Sequence, residues 1–222
     1  MNASPTPIAD QVAVVNEGMA GQAPAEALAA FRVEQAGLNA AGLPTGLTRV
    51  GARMPDGALM DVHGRATSME EARRGQVAVI VFYRGAWCPY CNVTLRTYQN
   101  DLAEELAARD ITLIAISPQK PDGSLTMQEK NGLTYTVLSD PGSRIGAKLG
   151  IVTRPTEDVR QAQAALGLDL TQINADGSHD ILMPTVVITD SDGIVRWIDV
   201  HPDYTTRTEP AQILAALEGI TD

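Results

Sequence analysis

The run Val77-Ala78-Val79-Ile80-Val81-Phe82-Tyr83 constrains this chain more than any other segment. Seven residues without a polar break, most of them β-branched or aromatic, suit a strand covered on both faces, since a half-exposed strand would alternate with polar residues. Such a strand is central in its sheet, and helices must pack on either side of it. The chain can supply them. Its 222 residues are enough for a substantial core, and 44% are apolar. Aromatic residues reach only 4%, which leaves that core mainly to Ala, Val, Leu and Ile.

The segments around this strand extend the pattern. Leu95, Tyr98, Leu102 and Leu106 recur at three- and four-residue spacing and predict a helix from Cys91 to Ala108, while Ile111 to Ile116 reads as a second buried strand. A helix capped by Ser124 through Lys130, a strand from Tyr135 to Leu138, and helices over Arg144–Leu149 and Glu157–Leu166 follow. Thr185–Ile188 and Ile194–Val200 flank Asp190-Ser191-Asp192-Gly193 and predict a hairpin. The last helix is expected after a Thr208 cap, with Pro210 in its first turn. Upstream, Leu59 and Met60 mark short strands, and Ser68 with Glu71 forms a capping-box pattern.

Alternating strands and helices followed by a hairpin and a helix predict an α/β fold: a central mixed sheet with helices on both faces. Residues 1–48 are read as a helical N-terminal extension and 49–222 as the domain proper. One amphipathic helix is predicted in the extension, from Pro24 to about Leu38, with Leu28, Phe31, Gln35 and Leu38 on one face.

Charge narrows the function. Net charge is −10 with no basic run, so nucleic acid is not an expected partner. No stretch approaches about 18 consecutive apolar residues, so a membrane is not one either. The first basic residue is Arg32, too late for the positive n-region of an export signal, and the reading is cytoplasmic. In that compartment disulfides are usually catalytic or sensing. The two cysteines stand together as Cys88-Pro89-Tyr90-Cys91, where the strand hands over to a helix. A bridge there would constrain the unfolded chain by only about 2 kcal/mol. It is a poor staple. As chemistry the position is better, because helix N-terminal amides stabilise a thiolate and the spacing lets a dithiol close. By helix geometry Cys88 is the sulfur expected to be exposed and acidic. Zinc needs four ligands, and His63, His179 and His201 are scattered through polar segments, so no metal is expected.

The segment Phe82-Tyr83-Arg84-Gly85-Ala86-Trp87-Cys88-Pro89-Tyr90-Cys91 resembles the thioredoxin superfamily, and within it the peroxiredoxin-like branch of the alkyl hydroperoxide reductase/thiol-specific antioxidant family. The likeness extends through Gly51 to Pro55, Ile114-Ala115-Ile116-Ser117-Pro118, Leu138-Ser139-Asp140, Val187 to Gly193 and the tail Asp199 to Arg207. It implies a thioredoxin-like fold. It also implies that Met183-Pro184-Thr185 forms the loop facing the cysteine pair, with Pro184 cis. The family's usual Pro, Thr and peroxidatic Cys positions fall on Arg84, Cys88 and Cys91. The family's arginine ahead of the last central strand is absent, which leaves Arg84 and Arg207 as candidate cations. Trp87 is expected to shield the pair, and Pro89 and Tyr90 to lie at it.

The resemblance implies a thiol-dependent peroxidase. Cys91 attacks hydrogen peroxide or an organic hydroperoxide, Cys88 closes a disulfide with the resulting sulfenic acid, and a thioredoxin-like or other thiol donor reduces it without a cofactor. A homodimer is compatible with it. Two alternatives stand beside it: a dithiol-disulfide oxidoreductase with Cys88 as nucleophile, and a non-catalytic thioredoxin-like binding module.

Overall fold

The computed structural model describes residues 6–20 and 24–220. Helix α1 (Ile8–Ala20) and helix α2 (Ala25–Ala41) precede strands β1 (Ala58–Asp61) and β2 (Ala66–Ser68) and the short helix α3 (Met69–Arg73). The central strand is β3 (Ala78–Phe82), followed by α4 (Pro89–Asp101), α5 (Ala103–Ala108), β4 (Thr112–Ser117), α6 (Pro121–Asn131), β5 (Thr136–Ser139) and α7 (Arg144–Leu149). Then come β6 (Val152–Thr153), α8 (Glu157–Ala165), α9 (Leu170–Ile173), β7 (Ile181–Leu182), β8 (Thr185–Thr189), β9 (Val195–Val200) and α10 (Pro210–Glu218). No described helix is long and apolar enough to cross a membrane.

Seven strands form one mixed sheet in the order β2-β1-β5-β4-β3-β8-β9. Strands β3, β4 and β5 run parallel, and β8 joins β3 antiparallel, pairing Ala78 with Thr189 and Phe82 with Thr185. Every residue of β3 is buried, as an unbroken apolar run requires. Alternate residues feed two cores. Val79 and Val81 point with Leu113, Ala115 and Ile188 toward α4, α1 and α10, whereas Ala78, Ile80 and Phe82 point with Ile114, Ile116 and Val187 toward α3 and α7. Full burial of a Val, Ile or Phe side chain contributes about 1.5–3 kcal/mol, so β3 anchors both layers. The architecture is the mixed sheet with helices on both faces that the alternation of elements predicts, with helices at the N-terminus.

The helical periodicity is right about which faces are buried and less so about ends. Helix α4 begins at Pro89, because proline suits the first helical position and Cys88 serves as N-cap. The single helix expected through Ala108 breaks at Leu102 (φ −126°). The break keeps Leu102 and Leu106 both fully buried. Ser124 does not cap α6; Pro121 opens that helix, and Ser124 lies buried within it, sharing a hydrogen bond with Ser139 (3.0 Å). Thr208 does not cap α10 either. Glu209 occupies that position, and the Thr208 hydroxyl donates instead to Asp199 Oδ2 (2.8 Å). Helix α2 passes Gly37 and ends at Gly42, whose φ of +68° suits glycine.

The N-terminal helices are docked on the body. Ile8 and Val12 of α1 enter the core beside α4, and the Ile8 and Ala9 amides donate to the Glu209 carboxylate at 2.9 Å. Helix α2 packs along α8. Gln35, on its predicted inward face, donates to Pro202 O (3.0 Å) and accepts from the Tyr204 amide (3.1 Å).

Candidate active site

At the C-terminal end of β3 the chain turns through Arg84–Trp87 into α4, and buried amides hold that turn. Gln119, just beyond β4, accepts from Ala86 N (2.9 Å) and donates to the Tyr83 hydroxyl (3.2 Å). Asn92 Nδ2 donates to Ala86 O (2.8 Å) and Cys88 O (2.9 Å), and Asn131 Nδ2 donates to Asn92 Oδ1 (3.0 Å). Gly85 has φ +150°, and a Cβ there would stand 2.4 Å from Trp87 Nε1. The indole lies over this glycine. With Cys88 as N-cap and Pro89 as the first, exposed helical residue, Cys91 falls in the first turn of α4.

Both cysteines are free thiols, and both are buried, at 0% and 1% exposure. This corrects the expectation of an exposed, acidic Cys88. Burial, the hydrogen bond to Cys91 and the Cys91 charge push the Cys88 thiol well up, against weaker opposition from Arg84 and Arg207. At Cys91 burial also pushes upward, but it is outweighed. The hydrogen bond from Cys88, the Arg207 charge, the Arg84 amide and the Arg84 charge together hold this thiol below its ordinary range. The geometry agrees: Arg84 N lies 3.4 Å and Arg207 Nη2 3.5 Å from Cys91 Sγ, both donating.

An aromatic and cationic shell closes over the pair. The Arg84 guanidinium is buried between Trp87 (4.9 Å to the ring centroid) and Tyr204 (4.2 Å). Arg207 lies 6.0 Å from the Tyr90 ring, and Tyr90 lies 6.3 Å from Tyr204. The Tyr90 hydroxyl donates to Asn16 Oδ1 of α1 (2.6 Å). Pro184 is at the site, but the described residues contain no cis peptide bond, so the expected cis Pro184 is trans. Its carbonyl accepts from His201 N (2.9 Å), an interaction that holds the start of β8 to the segment carrying Tyr204 and Arg207. Thr185 is buried, and its hydroxyl donates to Met183 O (2.9 Å). A cavity of about 10 Å³ beside Cys91 is bordered by Pro184, Thr185, His201 and Arg207; that is room for about one water.

The fold thus brings together Cys88, Cys91, Arg84, Trp87, Pro89, Tyr90, Pro184, Thr185 and Arg207. Sequence reasoning did not single out Gln119, Asn92, Asn16 or Tyr204. Gln119 lies just past the end of a strand parallel to β3, a position that could have marked it. Asn16 had no such signal, because its contact depends on the docking of α1.

Comparison with known proteins places the fold and the family. A protein of Mycobacterium tuberculosis named as a peroxiredoxin is 30% identical over 95 residues, covering 43% of this chain and 59% of that protein. One of Haemophilus influenzae with the same kind of name is 29% identical over 102 residues, covering 46% and 64%. The chain therefore spans about three-fifths of the length of these relatives. Among solved structures, peroxidoxin BcpB of M. tuberculosis superposes with a TM-score of 0.59 at 20% identity, covering 78% of this chain and 98% of that one. Reduced Prx3 of Vibrio vulnificus gives 0.62 at 19% identity, covering 77% and 99%. At such identities the likeness carries the fold alone. The profile described as the AhpC/TSA family matches residues 50–198, from the turn ahead of β1 into β9, and the chain belongs to that family of thiol-based redox proteins.

Proposed function

We propose that this protein is a thiol-dependent peroxidase in which Cys91 is the attacking sulfur and Cys88 the resolving one. The observation that carries the reading is the asymmetry of the two buried thiols. Cys91 accepts from Arg84 N, faces the Arg207 guanidinium and is bordered by a small cavity, while Cys88 keeps its proton. The Cys91 thiolate attacks the terminal oxygen of a peroxide ROOH. The O–O bond breaks, sulfur becomes a sulfenic acid, and the departing RO⁻ takes a proton to leave as ROH. Arg207 and the Arg84 amide, already directed at the sulfur, offset negative charge as it moves onto oxygen. Cys88 then attacks the sulfenic sulfur, forming the Cys88–Cys91 disulfide and releasing water. A thiol donor returns the two electrons, so the balance closes without a cofactor.

A dithiol-disulfide oxidoreductase with Cys88 leading needs that sulfur exposed and acidic, and its burial and raised pKa favour the peroxide reading. The test is a pair of variants. Cys91→Ser should abolish peroxide reduction. Cys88→Ser keeps a hydroxyl donor toward Cys91 and should consume about one equivalent of peroxide per chain, accumulating sulfenic acid on Cys91. Dimedone labelling read by mass spectrometry locates it. Label confined to Cys88, in a Cys91→Ser protein that still reacts, refutes the assignment.

A further inference from the structure

Two arginines are buried among the described residues, and they differ in company. Arg73 donates to Thr189 Oγ1 (3.2 Å) and Asp190 O (3.0 Å). Arg84, only 7% exposed, makes no side-chain hydrogen bond or ion pair with any described residue. A guanidinium is always charged and carries five N–H donors in one plane. Trp87 and Tyr204 answer the charge with their rings, but ring faces leave in-plane donors unfilled. A buried cation in that condition calls for an acceptor. The group that matches the fork is a carboxylate, which takes two parallel N–H bonds.

Arg84 lines one end of a cleft of about 880 Å³ between α2 and α8, within the roughly 300–1,000 Å³ usual for small-molecule sites. Gln35 fixes where that end lies along α2: it accepts from the Tyr204 amide (3.1 Å), and Tyr204 stacks on Arg84. The walls are apolar, with Ala30 and Val33 from α2, Ala162 from α8, and Leu182. Glu26, Glu34 and Asp158 also border the cleft, and none of them pairs with Arg84. Glu26 stands nine residues before Gln35, about 13 Å along the helix. Glu34 is engaged, accepting from Thr156 N (2.9 Å). Asp158 is exposed in the first turn of α8, where solvent and salt screen it. Arg154, the second arginine there, is held by Asp180 (2.7 Å). The cleft therefore offers one unanswered positive charge beside an apolar wall, and its acids disfavour a second negative charge on whatever enters.

We infer that this cleft is a binding site for a monocarboxylate with an apolar body, its carboxylate seated on the Arg84 guanidinium and its body between α2 and α8. Such a ligand acts on the redox site without touching sulfur. The Arg84 charge is one of the influences that hold the Cys91 thiol low, and a bound carboxylate offsets it. Occupancy therefore favours protonated Cys91, and by reciprocity the thiolate weakens carboxylate binding. An organic acid here restrains the thiol without entering the space beside it, which has room for about one water. Helix α2 lies outside the residues matched by the family profile, so this control belongs to a wall that the chain adds to the family domain.

The experiment uses the full reduced chain with 3-phenylpropionate as probe and 3-phenylpropionamide as its neutral counterpart. It reads binding and titration with no turnover, so it stands apart from the peroxidase reading. Calorimetry should give a Kd about tenfold or more lower for the acid than for the carboxamide. The acid should shift backbone N–H resonances of α2 and α8. Arg84→Gln should erase the difference between the two probes. Ala30→Trp, which fills the cleft and leaves Arg84 in place, should weaken both about tenfold or more. Saturating acid, unlike the carboxamide, should move the Cys91 thiolate absorbance step to higher pH. Four results each overturn the inference: equal affinity for acid and carboxamide, wild-type affinity for the acid in Arg84→Gln, resonance shifts that spare both helices, or a thiolate step that saturating acid leaves in place.

Discussion

Replacing Arg207 by Gln tests the electrostatic argument at its centre. The guanidinium nitrogen donates to Cys91 Sγ at 3.5 Å. Two unit charges about 4 Å apart interact by about 4 kcal/mol at an effective dielectric of 20 and about 1 kcal/mol in water. Arg207 is half-buried, so about 2 kcal/mol is appropriate, which corresponds to about 1.5 pKa units. The hydrogen bond from Cys88 and the Arg84 amide remain in the variant, so its thiol should still titrate below an ordinary one, but about 1–1.5 units above wild type. Thiolate ultraviolet absorbance reads this directly on the reduced protein, as the lower of the two macroscopic steps of the pair. The sign carries over to stability. A thiol whose folded pKa is depressed adds stability that is present above the unfolded value and lost as pH falls through the folded one. The stability gap between wild type and Arg207→Gln should therefore widen as pH rises through that window. Arg207→Lys, which keeps the charge, should restore most of the shift. A lower step that does not move in Arg207→Gln refutes the role given to this residue.

Two further substitutions probe the scaffold. Gly85→Ala would place a methyl 2.4 Å from Trp87 Nε1 at a backbone φ of +150°; denaturant melts should show a loss of about 1–3 kcal/mol with a change in tryptophan fluorescence, and an unchanged pair of readings contradicts the packing described. Tyr98→Phe removes the buried bond from the Tyr98 hydroxyl to Thr208 O (2.6 Å) and leaves that carbonyl unsatisfied, so the urea midpoint should fall by the equivalent of about 1–3 kcal/mol; no change would mean that water replaces the hydroxyl.

The layers of this fold were legible because their signals are local. An unbroken run makes β3, three- and four-residue spacing makes the buried face of α4, and Asp190 to Gly193 makes the β8–β9 hairpin. What escaped was set by distant partners. Ser124 and Thr208 are plausible caps from sequence, yet Ser139 and Asp199 claim their hydroxyls. Helix α1 carries Ile8, Val12, Val15 and Met19 at four-, three- and four-residue spacing against the core, a stripe the sequence reading passed over, and its first turn is held by Glu209, two hundred residues away. Strands β6 and β7 are two residues each, too short for periodicity to register.

The roles of the two sulfurs were hidden for the same reason. Spacing places Cys88 and Cys91 at one helix start, and a macrodipole argument ranks them by position, favouring the outer one. That ranking assumes solvent at Cys88. Trp87, Tyr90 and Tyr204 remove it, and once both sulfurs are dry only one can ionise, since a second thiolate would be both desolvated and repelled by the first. The choice then falls to whichever sulfur has donors directed at it. Arg84 N approaches Cys91 because the turn after β3 folds back over α4. Arg207 approaches it because the segment after β9, tied to Pro184 by His201, returns to the same point from 116 residues away. Cys88 is thereby left protonated and hydrogen-bonded to the thiolate it is proposed to capture after oxidation. Burial at this site does more than protect the sulfurs: it pushes both thiols up, and the donors directed at Cys91 then hold that one alone below its ordinary range.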